Sequence, residues 1–292
     1  MKGYRSLGYG FVAECCSSSQ NALAIAECNS GFKPVYWCMD EKVTRIEDGE
    51  QYCFVDSDRI VHQIWNENSC PGEVRRIPLV FRVDVKETGN YKVTLTVKGN
   101  KGTTMIFLGH RRLYRIGEIR EDFTETYYVN VSEIIPSGYK EVCCDLNISV
   151  GILGERPALS QIEIEKVDCP TVFLLGDSTV MDQNTEYPYA PGTSYSGWGQ
   201  MLPAFVKGKV AIANHAHSGL NTESMRNEGY YEIARKQMKQ GDYCLIQFGH
   251  NDQKQARLGA NQGYRENLIR YIEEIREKNA IPILVTPVAR NS

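Results

Sequence analysis

The sequence contains no uninterrupted apolar run near the roughly 18 residues that a membrane-crossing helix needs, so no membrane span is expected. It also lacks a basic excess. The 33 Lys and Arg against 36 Asp and Glu leave a net charge of −3, which argues against a nucleic-acid partner. There is no Cys-x-x-Cys. Ten cysteines are present, nine of them at or before Cys169 and including the adjacent pairs Cys15-Cys16 and Cys143-Cys144, but none has the spacing of a zinc site. His62 and His110 stand singly, without a partner at metal-ligand spacing, and are expected to be structural. The amino-terminal MKGYRSLGYGF lacks the continuous apolar segment of an export signal. With no such signal, reduced thiols and a cytoplasmic location are the expectation, and a disulfide framework is the alternative, although chains this long rarely need stapling.

What remains is a globular composition, 42% hydrophobic and 24% charged, over 292 residues, enough for about two domains. Up to Asp168 the chain reads as short strands and turns. Phe81 to Val85 and Tyr91 to Val97 alternate apolar with polar residues around Thr88-Gly89-Asn90, a pattern that predicts a hairpin. Thr104 to Leu108, Thr126 to Val131, Glu141 to Val150 and Ser160 to Val167 are further strand candidates. Gly99 to Gly102, Pro136-Ser137-Gly138 and Gly154 punctuate them. The charged tract Arg111 to Glu125 predicts a solvated loop. Closely spaced strands without a helical period predict an antiparallel β-sandwich over residues 1–168. Tyr36, Trp37, Trp65, Tyr127 and Tyr128 have the chemistry to stack on sugar rings, although such residues more often belong to a core.

From Cys169 the rhythm changes. Thr171 to Leu175, Val210 to Ala213, Tyr243 to Phe248 and Ile281 to Thr286 are short apolar runs with the length of buried strands. Between them Gly197 to Val206 predicts a short helix interrupted by Pro203, and Asn221 to Ser224 predicts a helix start followed by helix over Tyr230 to Gln240. Tyr264, Leu268, Tyr271, Ile272 and Ile275 recur at helical spacing, which predicts an amphipathic helix over Gly263 to Asn279. Alternating β and α segments of this length predict an α/β fold, a doubly wound parallel sheet over residues 169–292.

Three of these strands end in chemically suggestive residues: Gly176-Asp177-Ser178, His217-Ser218-Gly219 and Gly249-His250-Asn251-Asp252. Right-handed crossovers put all three ends on one edge of the sheet, where ligands of open α/β folds bind. A serine hydroxyl attacking an acyl carbon creates an oxyanion that needs hydrogen-bond donors. Ser178 offers a hydroxyl and, at an expected helix start, its own N–H. Gly219 offers an unobstructed N–H, and Asn251 offers a side-chain NH₂.

This set resembles the SGNH (GDSL-like) hydrolases, most closely their rhamnogalacturonan acetylesterase-like branch. The resemblance is carried by GDSTV at Gly176 to Val180, GWGQMLP at Gly197 to Pro203 and NHAHSG at Asn214 to Gly219. QFGHND at Gln247 to Asp252 and PILVTPVAR at Pro282 to Arg290 complete it. The first half is similar, through GYGF at Gly8 to Phe11 and its strand pattern, to the galactose-binding-like β-sandwich that precedes some of these enzymes.

The resemblance implies a serine esterase acting on acetyl esters of a plant-type oligosaccharide or polysaccharide. Ser178 would be the nucleophile, with Gly219 and Asn251 completing the oxyanion hole. Asp177, Trp198 and His250 would contact the substrate, and neither a metal nor an organic cofactor would be required. The family's general base and its orienting partner lie in an Asp-x-x-His block near the carboxyl terminus. That block and the sheet's fifth strand and last helix are expected beyond Ser292, so the chain as it stands is expected to turn over little. His215 and His250 belong to motif positions that coexist with the true base, whereas His217, close to Gly219, is the histidine to weigh for a substitute base. Two other functions use the same residues: a non-catalytic carbohydrate-binding protein, and an esterase or lipase on non-carbohydrate esters.

Overall fold

The computed structural model describes residues 79–183 and 196–289, apart from short gaps at 98, 100–101, 110, 136–140, 145 and 154–158, together with residues 9–12, 44–46 and 50–53. Tyr36, Trp37, His62, Trp65, His110, Gly154, Arg290, the Cys15-Cys16 pair and the Pro136 to Gly138 turn lie outside the described residues. The chain divides into two compact units. Residues 132–144 group with the second unit, alongside residues 168–183 and the chain from 195 onward, although the sequence pattern suggests a single boundary after 168.

The strands run in chain order as β1 (Tyr9–Val12), β2 (Thr44–Ile46), β3 (Glu50–Cys53), β4 (Leu79–Asp84), β5 (Gly89–Val97) and β6 (Thr103–Leu108). They continue as β7 (Arg112–Glu118), β8 (Phe123–Val131), β9 (Glu133–Ile134), β10 (Cys143–Cys144), β11 (Asn147–Leu153) and β12 (Leu159–Val167). In the first unit they form two antiparallel sheets, ordered β1-β4-β11-β6-β7 and β2-β3-β12-β5-β8. Alternation along each strand turns one face inward. Phe81, Val83, Ile106, Leu108, Ile148, Val150 and Ile152 of the first sheet share one apolar cluster with Val93, Leu95, Val129 and Ile162 of the second. On the outward face of the second sheet, Thr94 pairs with Thr126 and Thr96 with Thr124, each at 2.9 Å.

Two expectations need correction. The pattern around Thr88-Gly89-Asn90 is not a hairpin, because β4 and β5 belong to different sheets and pair with β11 and with β8 and β12 instead. Both strands bury alternate residues in the same core, so their sequences look like hairpin partners although the chain crosses from sheet to sheet. The tract Arg111 to Glu125 is not a solvated loop. It forms β7 and the start of β8, with Leu113 and Tyr114 buried. Its charges pair within the strands: Arg115 donates to Glu125 at 2.6 Å and covers the Phe123 ring at 4.7 Å. Tyr127 is a core residue, 7% exposed, with its hydroxyl on Glu125 at 2.8 Å.

The second unit is built on β13 (Thr171–Gly176), α1 (Trp198–Met201), β14 (Ala211–Asn214), α2 (Ser224–Asn227), α3 (Tyr230–Gln237), β15 (Tyr243–Gln247), α4 (Gly263–Glu277) and β16 (Ile281–Leu284). A 3₁₀ turn over Leu202–Phe205, with Pro203 in its first turn, follows α1. All four strands are parallel, in the order β14-β13-β15-β16. Phe173 and Leu175 face one apolar cluster with Tyr231, Ala234, Tyr271 and Ile275, and Leu174 faces another with Val180, Ile212 and the partly buried Trp198. Burial on both faces explains why β13 reads as a continuous apolar run. Asn221 accepts the N–H groups of Glu223 and Ser224 through Oδ1 at 3.0 and 2.8 Å and so opens α2. Asn279, left-handed at φ 55°, closes the turn after α4. The strand order reverses at β13, so the loops after β13 and β15 flank the crevice where this architecture binds ligands.

Candidate active site

The turn after β13 shows why Ser178 sits in irregular backbone rather than at the helix start expected. Val180 N and Met181 N both donate to Asp177 O, at 3.0 and 3.1 Å, which begins a helical turn. The carbonyls that would propagate it are taken by donors from elsewhere. Gln183 Nε2 donates to Ser178 O at 2.7 Å, Trp198 N to Thr179 O at 2.8 Å, and Asn214 Nδ2 to Val180 O at 2.9 Å. Asp177 is 1% exposed, and its Oδ1 accepts Thr179 N at 2.9 Å and the Thr179 hydroxyl at 2.8 Å. The turn is closed tightly against β15. A Cβ on Gly176 would meet Val180 Cγ2 at 2.5 Å and Gln247 O at 2.9 Å.

The loops after β13, β14 and β15 are fastened to one another. His217 N donates to Gly176 O at 3.2 Å, joining the β14 loop to the end of β13. Asn251 Nδ2 donates to Leu220 O at 2.9 Å, joining the β15 loop to the β14 loop. Asp252, 2% exposed, strengthens that second joint by accepting Thr222 N at 2.9 Å and the Thr222 hydroxyl at 2.6 Å through Oδ1. Ser178, Gly219 and Asn251 are therefore carried on three mutually tethered loops, and Gly219 is exposed while Ser178 and Asn251 are half-buried.

Their donors remain available. Among the described residues, neither Ser178 N–H nor Gly219 N–H makes a hydrogen bond. Gly219 has φ 83°, a left-handed conformation that a side chain disfavours. The Asn251 amide has a determined orientation. Lys254 Nζ, which only donates, sits 2.8 Å from Oδ1, and the Leu220 carbonyl, which only accepts, takes one hydrogen of Nδ2. The second hydrogen of that NH₂ is left over.

The other proposed site residues are occupied within the protein. Trp198 Nε1 donates to Gln247 Oε1 at 2.9 Å, with its ring against the Leu174 cluster. His250 Nε2 donates to Val288 O at 2.7 Å, and its Nδ1 lies 4.0 Å from Asp177 Oδ2, beyond hydrogen-bond distance. His215 is buried and stacked on Phe173, and His217 lies against Tyr230 with Nδ1 3.2 Å from Ser218 O.

Gln247, Thr179, Thr222 and Asp252 were not singled out by sequence reasoning, although Gln247 and Asp252 stand at the two ends of QFGHND. Their bonds join segments distant in sequence, so spacing gave no signal. A separate cavity of about 470 Å³ is lined by Arg226, Tyr231, Arg235, Arg270, Glu274 and Glu277. Its charges pair across the wall, Arg226 and Arg270 with Glu274 and Arg235 with Glu277, which makes it an ion-pair network of the helices.

Residues 174–292 match the GDSL-like Lipase/Acylhydrolase family. The rhamnogalacturonan acetylesterase RhgT of Bacillus subtilis (strain 168) is 41% identical over 120 residues, 41% of this chain and 49% of that protein. The probable rhamnogalacturonan acetylesterase YesY of the same organism is 32% identical over 123 residues, 41% of this chain and 54% of that protein. A rhamnogalacturonan acetylesterase of Emericella nidulans is 34% identical over 82 residues, 28% of either chain. The chain spans about half the length of the two Bacillus relatives.

Proposed function

Starting from residues 174–292 as a GDSL-like acylhydrolase domain, we propose that the protein is a carbohydrate esterase that removes acetyl groups from an acetylated plant-type polysaccharide or oligosaccharide of the rhamnogalacturonan kind. The observation that carries this reading is the pair of unused N–H groups at Ser178 and Gly219 together with the pinned amide of Asn251, all on loops tied to one another. The acetylesterases among the similar proteins supply the substrate class.

In this reading Ser178 Oγ attacks the acetyl carbonyl carbon, and the carbonyl electrons move onto oxygen. Ser178 N–H, Gly219 N–H and the second Nδ2 hydrogen of Asn251 stabilise that oxyanion. Collapse expels the sugar hydroxyl and leaves an acetyl-serine. Water then attacks the acetyl carbon through a second tetrahedral intermediate, releasing acetate and restoring the serine. A base must take the serine proton and return it to the leaving sugar oxygen. His250 donates to Val288 O, His217 turns to Ser218 O and His215 is buried, so none is read as that base. We assign it to a histidine of the full-length protein other than these three.

The test is labelling of the full-length protein by a fluorophosphonate, with acetate release from acetylated rhamnogalacturonan as the second measurement. Labelling at Ser178, loss of both signals in Ser178→Ala, and acetate release are expected. Turnover that survives Ser178→Ala would refute the nucleophile assignment.

A further inference from the structure

We propose that Gln247 is a positioning residue for the nucleophile: its amide holds the Thr179 hydroxyl and so fixes the turn that presents Ser178. This rests on the reading of Ser178 as the nucleophile. Gln247 is the last residue of β15 and is 2% exposed. A buried strand position favours an apolar side chain, and a buried amide is costly unless it is bonded. Here both of its ends are bonded. Oε1 accepts Trp198 Nε1–H at 2.9 Å, and Nε2 donates to Thr179 Oγ1 at 2.7 Å. Thr179 Oγ1 in turn donates its proton to Asp177 Oδ1 at 2.8 Å.

The direction of every bond in this chain follows from its ends. The indole N–H can only donate, so the amide oxygen faces Trp198 and the NH₂ faces Thr179. The threonine hydroxyl therefore accepts from Gln247, and its own proton goes to the carboxylate of Asp177. Ser178 lies between Asp177 and Thr179, the two residues that the chain holds. Gln247 also stands four positions before Asn251 on the same segment. One buried side chain thus ties the nucleophile's turn to the segment that carries the amide donor. A packing role would be met by any apolar residue of the right volume, whereas this role needs a donor facing Thr179.

The experiment measures kcat and KM of the full-length protein on p-nitrophenyl acetate, well below the melting temperature, for wild type, Gln247→Leu, Gln247→Glu, Thr179→Val, Thr179→Ser and the double variant Gln247→Leu/Thr179→Val. A misplaced reacting group costs up to about a hundredfold, so falls in kcat of about thirtyfold with KM within twofold are expected for Gln247→Leu and Thr179→Val. Thr179→Ser, which keeps the hydroxyl, should stay within about threefold. The double variant should fall no further than the worse single one, because both remove the same bond.

Gln247→Glu gives a further signature. Its protonated carboxyl can donate to Thr179, but its carboxylate cannot, so its activity relative to wild type should rise as pH falls. Should Gln247→Leu fail to fold, Gln247→Glu and the two threonine variants still decide the question. A kcat within twofold of wild type in Gln247→Leu or Thr179→Val, losses that multiply in the double variant, or a Gln247→Glu ratio flat with pH would each overturn the proposal. Wild-type activity indifferent to Ser178→Ala would overturn the underlying nucleophile reading instead.

Discussion

Replacing Asn251 with alanine separates a catalytic role from a structural one, because the amide's contacts allow both costs to be sized. On the structural side, the Leu220 carbonyl loses a donor at 2.9 Å. One such neutral bond contributes about 1 kcal/mol net. Lys254, released from Oδ1, is exposed and returns to water at almost no cost. The expected destabilisation is therefore about 1 kcal/mol, or a fall of about 3 °C in melting temperature for a domain of this size. On the catalytic side, removing one oxyanion donor costs about 3 kcal/mol, a fall of about a hundredfold or more in kcat. The two measurements differ enough to be read apart by p-nitrophenyl acetate hydrolysis and thermal unfolding of the same preparation. Asn251→Asp sharpens the test. It keeps an oxygen for Lys254 but turns an acceptor toward both the Leu220 carbonyl and the oxyanion, so its kcat should be at or below that of the alanine variant. A kcat within threefold of wild type in Asn251→Ala would refute the assignment of the amide to the oxyanion.

Gly219→Ala forces a side chain into a left-handed conformation at φ 83°; a cost of about 1 kcal/mol and a kcat reduced about tenfold or more are expected as the N–H turns away, checked by unfolding and by the same ester assay. Gly176→Ala places a Cβ 2.5 Å from Val180 Cγ2, an overpacking cost of about 2 kcal/mol that Val180→Ala should relieve in part, with the contact to Gln247 O remaining; stability of the single and double variants measures this. Glu274 concerns pH. Burial pushes its carboxyl up, but the hydrogen bond and charge of Arg226, 2.8 Å away, with Arg270 behind, outweigh burial and hold it below its ordinary value. A depressed carboxylate contributes stability above its unfolded pKa of about 4.3 and loses it as pH falls through the folded value. Wild type should therefore exceed Glu274→Gln by about 1–2 kcal/mol at pH 7, with the gap closing in acid below about pH 4; a gap independent of pH would refute the ion-pair account.

The parallel half of the fold was legible because its signals are local. Thr171 to Leu175 is apolar and β-branched, and the strand observed is Thr171–Gly176. The period from Tyr264 to Ile275 marks a helix that runs over Gly263–Glu277. Pairing in the antiparallel half was not legible. Alternation shows which residues face a core but not which strand lies alongside, so β4 and β5 looked like a hairpin while belonging to different sheets. Charge misled in the same way over Arg111 to Glu125. Arg115 of β7 is tolerated in a strand because Glu125, on β8 of the other sheet, accepts its hydrogen bond at 2.6 Å, a proximity that nine intervening residues conceal.

The candidate site divides along the same physical line. Ser178, Gly219 and Asn251 stand out because each is a small or polar residue directly after an apolar run, and strand ends in a parallel sheet share an edge. The groups that direct them carry no such mark. Gln247 belongs to a strand and reads as a polar residue at its end, and Thr179 reads as an ordinary turn residue. What gives them a role is the bond between them, spanning 68 positions. The same holds for Thr222 and Asp252, 30 positions apart. Reactive groups are recognisable one residue at a time, whereas their orientation depends on pairs that form only when the sheet does. It follows that substitutions at Gln247, Thr179, Thr222 or Asp252 should change turnover out of proportion to their effect on stability, since each bond links a strand-end loop to its neighbour.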